Sequence, residues 1–190
     1  MSIPFPLETL GSWLHRDTFL QKNELSLPED FGRLLTSLDS MTLRLERLYA
    51  GKVQINMEKQ VVVPAPTNGA RFWPASYEFP HSQESLLSRD AWLLVQDKRE
   101  IFAHTELSLN GLDEHLRRGI EKGDLPLGTL ILNDNTTLER ANLELVQLKA
   151  PTLAGWLGAS SEKLFWARRT LLLIEGRVQG RILEIFLNWS

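Results

Sequence analysis

The chain contains no cysteine among its 190 residues. A disulfide framework and thiolate metal sites are therefore excluded, and the composition fits a reducing compartment. The sequence also lacks a run of about 18 consecutive apolar residues, the length that a membrane-spanning helix requires. The amino terminus shows no basic segment followed by an apolar one, which a secretory signal would need. We therefore expect a cytoplasmic protein without a membrane span.

The sequence motifs of several common enzyme classes are missing too. There is no Gly-x-Gly-x-x-Gly after a strand, no phosphate-binding Gly-x-x-x-x-Gly-Lys-Ser/Thr and no Gly-x-Ser-x-Gly elbow of serine hydrolases. The four histidines stand apart from one another, at His15, His81, His104 and His115. Because that spacing matches no metal-ligand pattern, we expect no metal site. Any catalysis would depend on carboxylates, arginines and the shape of a pocket.

The charge balance of the chain is slightly acidic. With 24 acidic and 21 basic side chains, besides the histidines, the formal net charge is −3. Proteins that bind nucleic acid usually carry a basic surface, so this balance argues against such a role. A length of 190 residues suits a single domain, which we assign to residues 1–190. The sequence contains no evident exposed apolar seam, and we expect a monomer.

Hydrophobic periodicity predicts an α+β protein. Apolar runs that alternate or continue over a few residues predict strands, and apolar residues at helical spacing predict helices. The predicted strands are Val53–Val63, Arg89–Val95, Ile101–Leu107, Leu138–Leu148 and two runs within Phe165–Leu187. The predicted helices include Phe31–Leu38, Leu43–Tyr49 and Leu112–Ile120, the last with Asn110 as its cap. We expect a single, mainly antiparallel sheet of about six strands with helices packed on it.

The last predicted hairpin carries a carboxylate within an apolar strand. Two apolar runs flank the link Glu175–Gly180, which contains two glycines suited to a tight turn. Glu184 lies in the second run and, because strand side chains alternate, shares a face with Ile182 and Phe186. A buried acid is costly unless it is paired, and it often marks a functional site. A Glu184 that faces solvent on a one-sided sheet explains the pattern equally well.

Arginines stand near the start of two predicted strands. Arg89 precedes an apolar run, and Arg168 and Arg169 are neighbours near the start of another. A guanidinium near a buried face offers two parallel N–H donors to a carboxylate. Arginines at strand ends more often lie in solvent, which is the alternative for Arg89. Alternation turns Arg168 and Arg169 to opposite faces, so at most one of them faces the interior.

Five segments of the chain resemble the chorismate-pyruvate lyases. Asp39–Glu46 is similar to the Asp-Ser-Met-Thr helix start of that family, and Phe165–Arg169 to its Trp-Gly-Arg-Arg segment, with Ala167 in place of glycine. Leu125–Gly128 resembles its Thr-Pro-Leu-Gly segment, Arg89–Leu107 its arginine-led hairpin, and Leu183–Leu187 its final strand. The resemblance covers roughly residues 30 to 188 in the same order. The pattern looks closer to the cyanobacterial and plastid members than to the enterobacterial ones.

This resemblance implies a function and a site. Members of the family remove pyruvate from chorismate and leave 4-hydroxybenzoate, the ring precursor of quinones, so these small molecules are the expected partners. The sheet and helices would enclose the ligand pocket. Carried over position by position, the substrate-binding residues would be Met41, Arg89, Leu127 and Glu184, with catalytic roles for Glu184 and Arg89. The expected enzyme is a carbon–oxygen lyase that needs no cofactor.

His104 marks a departure from the pattern of this family. Bacterial members of the ubiquinone pathway have a second pocket arginine where this chain has His104. Three explanations are open: His104 binds the anion as a protonated group, Arg168 or Arg169 substitutes for the arginine, or the ligand differs. If His104 binds the anion, the affinity for chorismate should fall as the pH rises from about 6 to 8.

Two mechanisms and a rival function are compatible with the sequence. Glu184 would engage the 4-hydroxyl group of chorismate, or would assist proton movement at C4 if burial raises its pKa. The alternative is an internal hydrogen shift from C4 to the enolpyruvyl methylene group. The rival function is a non-catalytic small-molecule-binding domain of the UTRA type, which shares the fold and follows a DNA-binding domain in transcription regulators. Because the sequence shows no basic amino-terminal domain of that kind, we expect the enzyme.

Overall fold

A computed structural model describes residues 5–23, 27–64, 73–77, 85–133 and 136–189. The sequence assigns no helix or strand to residues 70–85, and most of these residues, His81 among them, lie outside the described ranges. The helices are α1 Arg16–Asn23, α2 Glu29–Leu35, α3 Met41–Tyr49, α4 Glu114–Lys122, α5 Leu127–Asn133 and α6 Pro151–Trp156. The strands are β1 Glu8–Thr9, β2 Leu14–His15, β3 Val53–Pro64, β4 Ser85–Val95, β5 Lys98–Ser108, β6 Leu138–Lys149, β7 Leu164–Ile174 and β8 Arg177–Phe186. Ala75–Tyr77 form a single 3₁₀ turn.

The strands form one antiparallel sheet in the order β1-β6-β7-β8-β5-β4-β3, with β2 also paired to β6. This architecture confirms the fold class that the sequence predicts. The strands β3 to β8 correspond to the six long strands expected from periodicity, and the two-residue strands β1 and β2 bring the total of described strands to eight. The hairpin β7–β8 lies inside the sheet, because β6 pairs with β7 and β5 pairs with β8.

Both central hairpins turn through residues with positive φ. Gln96 and Asp97 connect β4 to β5 with φ values of 50° and 62°, and Glu175 and Gly176 connect β7 to β8 with φ values of 51° and 70°. Two consecutive left-handed residues make a turn whose twist matches that of the flanking strands. The turn predicted within Glu175–Gly180 therefore uses Gly176. Gly180 lies in β8, where a Cβ atom would come within 2.9 Å of a backbone oxygen of β5.

Two helix ends differ from the sequence prediction, and the start of α3 lacks a side-chain cap. Helix α2 ends at Leu35, so Leu38 lies outside it and is 44% exposed. Helix α4 is capped by Asp113, whose carboxylate accepts a hydrogen bond from the backbone N–H of His115 at 2.8 Å, and not by Asn110. Ser40 precedes α3 at the cap position, but its side chain makes no capping hydrogen bond.

The sheet is covered on both faces, which we call the cavity face and the far face. On the cavity face, helices α1, α2 and α3 cover one end of the sheet, while α4 and α5 pack over the other. On the far face, Phe5, the 3₁₀ turn and α6 pack against the sheet around Trp92, Phe102 and Ile185. Because both faces are buried, a charged side chain on a central strand needs partners inside the protein. No helix within the described ranges is long and apolar enough to cross a membrane.

Candidate functional site

A cavity lies between the cavity face of the sheet and the first residues of α3 and α5. It encloses about 570 Å³ of empty space, counting the part that is open to solvent. Its lining is mostly apolar and includes Ile55, Ala91, Leu93, Ala103, Leu172 and Ile182 from the strands. Three charged side chains also line it: Arg89, Arg140 and Glu184.

Arg89 extends from β4 into the cavity with donors to spare. The residue is 4% exposed, and its Nη2 donates a long hydrogen bond of 3.4 Å to the carbonyl oxygen of Leu125. Its buried Nη1 has no hydrogen-bond partner among the described residues. Burial lowers the pKa of the Arg89 guanidinium to about 10, which leaves it charged at neutral pH. A buried cation with an unused donor is suited to bind an anion.

Glu184 lies in β8 and is paired with two arginines. Its Oε2 accepts a hydrogen bond of 2.5 Å from Nε of Arg168 and a longer one of 3.4 Å from Nη1 of Arg140. Burial alone would raise the pKa of this carboxyl, but the charges of Arg140 and Arg168 outweigh it and hold the pKa below its ordinary value. Glu184 is therefore ionised at neutral pH. The raised pKa that a proton-donating Glu184 would need does not occur.

Arg140 in β6 is a cavity residue that the sequence reasoning missed. Its side chain is 7% exposed, contacts Glu184, and has a buried Nε without a partner among the described residues. Arg140 was not predicted because β6 has a bulge between Ala141 and Glu144, where Asn142 has a φ of 52°. Before the bulge the even-numbered residues face the cavity, whereas after it Leu143 and Leu145 pack on that side. Simple alternation along the strand therefore cannot assign a face to Arg140.

Met41 and Leu127 form the wall opposite the sheet, since each is the first residue of a helix at the cavity. Met41 is 1% exposed, and Leu127 is partly buried. The two helix starts touch closely, because a Cβ atom on Gly128 would lie 2.5 Å from Oγ of Ser40. A larger residue at 128 would therefore require the Ser40 side chain to move. The structure brings four of the predicted site residues together around one cavity: Met41, Arg89, Leu127 and Glu184.

Arg168 and Arg169 point to opposite faces of β7, as alternation requires. Arg168 lies behind Glu184 on the cavity face, although it does not line the cavity. Arg169 lies on the far face, where its Nε donates to Glu144 at 2.7 Å and its guanidinium lies 4.3 Å from the ring centre of Trp13. Neither arginine therefore supplies a second cation to the cavity. Arg140 does so instead.

His104 does not lie at the cavity, which corrects its assignment as a substrate-binding residue. Its neighbours Ala103 and Thr105 line the cavity, so alternation turns His104 to the far face. There its Nδ1 lies 2.6 Å from a carboxylate oxygen of Asp90, and its Nε2 lies 3.5 Å from Glu106. Burial opposes the charged imidazole, but the hydrogen bonds to Asp90 and Glu106 raise the pKa of His104 above its ordinary value. His104 is part of a buried ionic network that also includes Arg181.

We expect His104→Gln to destabilise the protein by about 3 kcal/mol without changing ligand affinity, because it leaves the buried carboxylate of Asp90 without its cation and Glu106 with Arg181 alone. A raised folded pKa means that this stabilisation is complete below about pH 6.5 and is lost as the pH rises through the folded pKa. Chemical denaturation between pH 5 and 9 would measure it. Calorimetric titration of 4-hydroxybenzoate at about pH 6 and 8 should give equal affinities in the native protein. A tenfold fall in this affinity between the two pH values would indicate that His104 binds the ligand.

Comparison with solved structures defines the fold class. A GntR-family transcriptional regulator from Bacillus cereus superposes with a TM-score of 0.52 at 8% identity, over 72% of this chain and 92% of that one. The ligand-binding domain of a putative GntR-family regulator from Bordetella bronchiseptica gives 0.55 at 17%, over 73% and 84%. PhnF from Mycobacterium smegmatis gives 0.59 at 9%, over 80% and 65%. These identities are low, so the likeness concerns the fold, which is of the UTRA and chorismate lyase type.

Sequence comparison gives the family. The profile of the Rv2949c-like chorismate pyruvate-lyases matches residues 35–189, and the chain belongs to this family. The resemblance noted in the sequence is thereby confirmed at the level of the family, while the closer likeness to cyanobacterial and plastid members stays a prediction. A search of curated protein sequences gives no match. Within the described ranges, no group of three or more potential metal ligands occurs.

Proposed function

We propose that the protein is a chorismate lyase, which eliminates pyruvate from chorismate to give 4-hydroxybenzoate. One observation carries the proposal: a single cavity combines an ionised carboxylate, Glu184, with two arginines, Arg89 and Arg140, that each retain an unpaired buried N–H. Chorismate is a dianion with a hydroxyl group, and these three side chains match its two carboxylates and its hydroxyl. The family to which the chain belongs supports the same reaction.

The positions of the three side chains suggest how chorismate binds. The ring carboxylate and the 4-hydroxyl group of chorismate lie at opposite ends of the ring, and the enolpyruvyl ether on C3 is next to the hydroxyl. Arg89 and Glu184 lie on β4 and β8, which are separated by β5 and hence by about 10 Å. Arg140 contacts Glu184 directly. In our proposal Arg89 binds the ring carboxylate, Glu184 accepts a hydrogen bond from the 4-hydroxyl, and Arg140 binds the enolpyruvyl carboxylate.

The state of Glu184 favours an internal hydrogen shift over acid–base elimination. A carboxylate whose pKa is lowered by two arginines is a weak base toward a C–H bond. In chorismate the 4-hydroxyl and the 3-ether are trans, so the C4 hydrogen lies on the same ring face as the ether. That hydrogen can pass to the enolpyruvyl methylene while the C3–O bond breaks, which forms a C3–C4 double bond and pyruvate. The atoms balance without water, and the new aromatic ring drives the reaction.

In this mechanism the protein acts by positioning and by electrostatic stabilisation. Arg140 would stabilise the negative charge that develops on the departing enolpyruvyl oxygen and carboxylate. Glu184 and Arg89 would hold the two ends of the ring, and the apolar wall of the cavity would select one conformer. No metal or organic cofactor takes part in the proposed reaction. The product would serve as the ring precursor of a quinone, and we propose a cytoplasmic protein that acts as a monomer.

Chorismate deuterated at C4 tests the hydrogen shift. We expect the deuterium in the methyl group of pyruvate, since the transfer is internal. Pyruvate should be reduced to lactate by lactate dehydrogenase as it forms, so that exchange with water is prevented, and analysed by mass spectrometry. The same reaction with unlabelled chorismate in D₂O should leave the methyl group free of deuterium. Deuterium from the solvent in that methyl group would establish proton transfer through an acid or base instead.

The second candidate function is non-catalytic binding of a small carboxylate. The fold favours it, because one superposed structure is described as a GntR-family transcriptional regulator and another as the ligand-binding domain of a putative regulator of that family. Incubation with chorismate separates the two functions. Release of pyruvate and 4-hydroxybenzoate, above the slow background of a heat-denatured sample, supports the lyase. Saturable binding of chorismate without any product supports the binding domain, and release of a different hydroxybenzoate would change the reaction assigned.

A further inference from the structure

We propose that Arg168 is a positioning residue, which fixes the carboxylate of Glu184 relative to the chain segment that leads into α3. This inference rests on the proposed role of Glu184 in binding the 4-hydroxyl group. Arg168 does not line the cavity and would not touch the ligand. It would act through the two walls of the cavity that it joins.

The contacts of Arg168 extend in two directions. Toward the sheet, its Nε donates to Oε2 of Glu184 at 2.5 Å, and the two residues are direct cross-strand partners in β7 and β8. Toward the helices, its Nη1 donates to the carbonyl oxygens of Ser37 at 2.8 Å, Leu34 at 3.3 Å and Leu35 at 3.4 Å. The side chain is fully buried. One guanidinium therefore connects the sheet to the end of α2.

The carbonyls that Arg168 contacts lie at the carboxyl end of α2 and just beyond it. Helix α2 ends at Leu35, and the carbonyl groups of its last turn have no partner within the helix. They present partial negative charge, which a buried cation complements. Ser37 is followed after two residues by Ser40 and Met41, which line the cavity. The distance between the Glu184 carboxylate and the start of α3 is thus set by one side chain.

The arrangement leaves one oxygen of Glu184 for the ligand. Both arginine contacts of the carboxylate are made to Oε2. Oε1 accepts no hydrogen bond from the described residues, and Glu184 lines the cavity. A carboxylate held through one oxygen by a rigid donor keeps the other in a fixed direction. Arg168 therefore aligns Oε1 as the acceptor for the 4-hydroxyl group.

Arg168 also matters for the charge of Glu184. The charged groups that face this carboxylate are Arg168 from β7 and Arg140 from β6, with Arg89 of β4 elsewhere in the cavity lining. Without Arg168, only the longer contact to Arg140 would oppose the effect of burial. The pKa of Glu184 should then rise. A protonated Glu184 would donate a hydrogen bond where the ligand hydroxyl needs an acceptor.

Variants at 168 and 169 test the inference with a matched control. Arg168→Met and Arg168→Lys remove or alter the contacts of Arg168 with Glu184 and the end of α2, while Arg169→Met and Arg169→Lys change a second buried arginine, on the far face. Infrared difference spectra against Glu184→Gln follow the titration of the Glu184 carboxyl without any need for turnover. We expect the titration of Glu184 to move to higher pH in Arg168→Met, less so in Arg168→Lys, and to stay unchanged in both Arg169 variants.

Kinetics supply the second readout. In Arg168→Lys we expect kcat to fall by about 10- to 100-fold, because lysine cannot reach Glu184 and Ser37 in the same geometry, while KM changes less. The acid limb of the pH profile should move with the titration. If Arg168→Met does not fold, Arg168→Lys carries the test. Identical titrations and profiles at 168 and 169 would overturn the inference, whereas an absence of turnover in the native protein would overturn only the proposed function.

Discussion

Replacing Glu184 with glutamine is expected to lower kcat for 4-hydroxybenzoate formation by at least about 100-fold. Glutamine preserves the shape of the side chain but removes the charge that Arg168 contacts at 2.5 Å and Arg140 at 3.4 Å. The neutral amide is a weaker acceptor for the 4-hydroxyl group, and two buried arginines lose their shared counterion. Steady-state release of pyruvate from chorismate, with the aromatic product identified by mass, measures the change.

Glu144→Gln provides the matched control for Glu184→Gln. Glu144 accepts a hydrogen bond of 2.7 Å from Arg169, the neighbour of Arg168 on β7, but it does so on the far face. Both substitutions remove one carboxylate from a buried arginine, and both should lower stability. Only Glu184→Gln should abolish turnover. Native rates in Glu184→Gln would rule out a role for this carboxylate in the reaction.

Replacing Arg89 with alanine is expected to weaken binding of both chorismate and 4-hydroxybenzoate by about 100-fold. Arg89 is 4% exposed and keeps an unpartnered Nη1 in the cavity, so an anion is its natural partner. In our proposal that anion is the ring carboxylate, which substrate and product share. Calorimetric titration gives the affinity for 4-hydroxybenzoate, and the KM of pyruvate release reports on chorismate. For both ligands Arg89→Lys should lie between alanine and the native protein.

Arg140 separates the proposed ligand orientation from its reverse. Arg140→Met should weaken the binding of chorismate, which has the enolpyruvyl carboxylate, far more than the binding of 4-hydroxybenzoate, which lacks it. Arg89→Ala should weaken the binding of both ligands. An exposed arginine such as Arg33, which pairs with Glu29 on α2, offers a control that should change neither affinity. If Arg89→Ala instead affected only chorismate and Arg140→Met affected both ligands, the ligand would bind in the reverse orientation.

The strand pattern alone singles out two site residues, Glu184 and Arg89, and both lie in parts of β8 and β4 without a bulge. Glu184 interrupts an apolar strand, Arg89 precedes an apolar run within β4, and both lie on the cavity face. The burial of such a group follows from a sheet covered on both faces, which periodicity suggests but cannot prove. That Glu184 remains ionised depends on Arg140 and Arg168, which are 44 and 16 positions away in the chain. Only the assembled fold decides whether burial or charge controls this carboxyl.

A bulge in β5 explains why His104 faces away from the cavity. A two-residue turn at Gln96 and Asp97 starts the register with Val95 opposite Lys98, and continued without interruption it would pair Arg89 with His104. A bulge at Glu100 shifts the register by one, so Thr105 stands opposite Arg89. A shift of one residue exchanges the faces of every later side chain. The bulge in β6 changes the face of Arg140 in the same way. Neither bulge contains a glycine, so the sequence does not indicate where they lie.

The cavity joins parts of the chain that are remote in sequence. Its walls come from the start of α3 at Met41, the start of α5 at Leu127, and strands that include Arg89 and Glu184. A ligand that fills the cavity would contact all of these parts and stabilise the folded state. At about 100 times its dissociation constant such a ligand raises the free energy of unfolding by roughly 2.7 kcal/mol. The melting temperature thus becomes a means of ranking candidate carboxylates, which identifies the molecule that the cavity fits before any reaction is assayed.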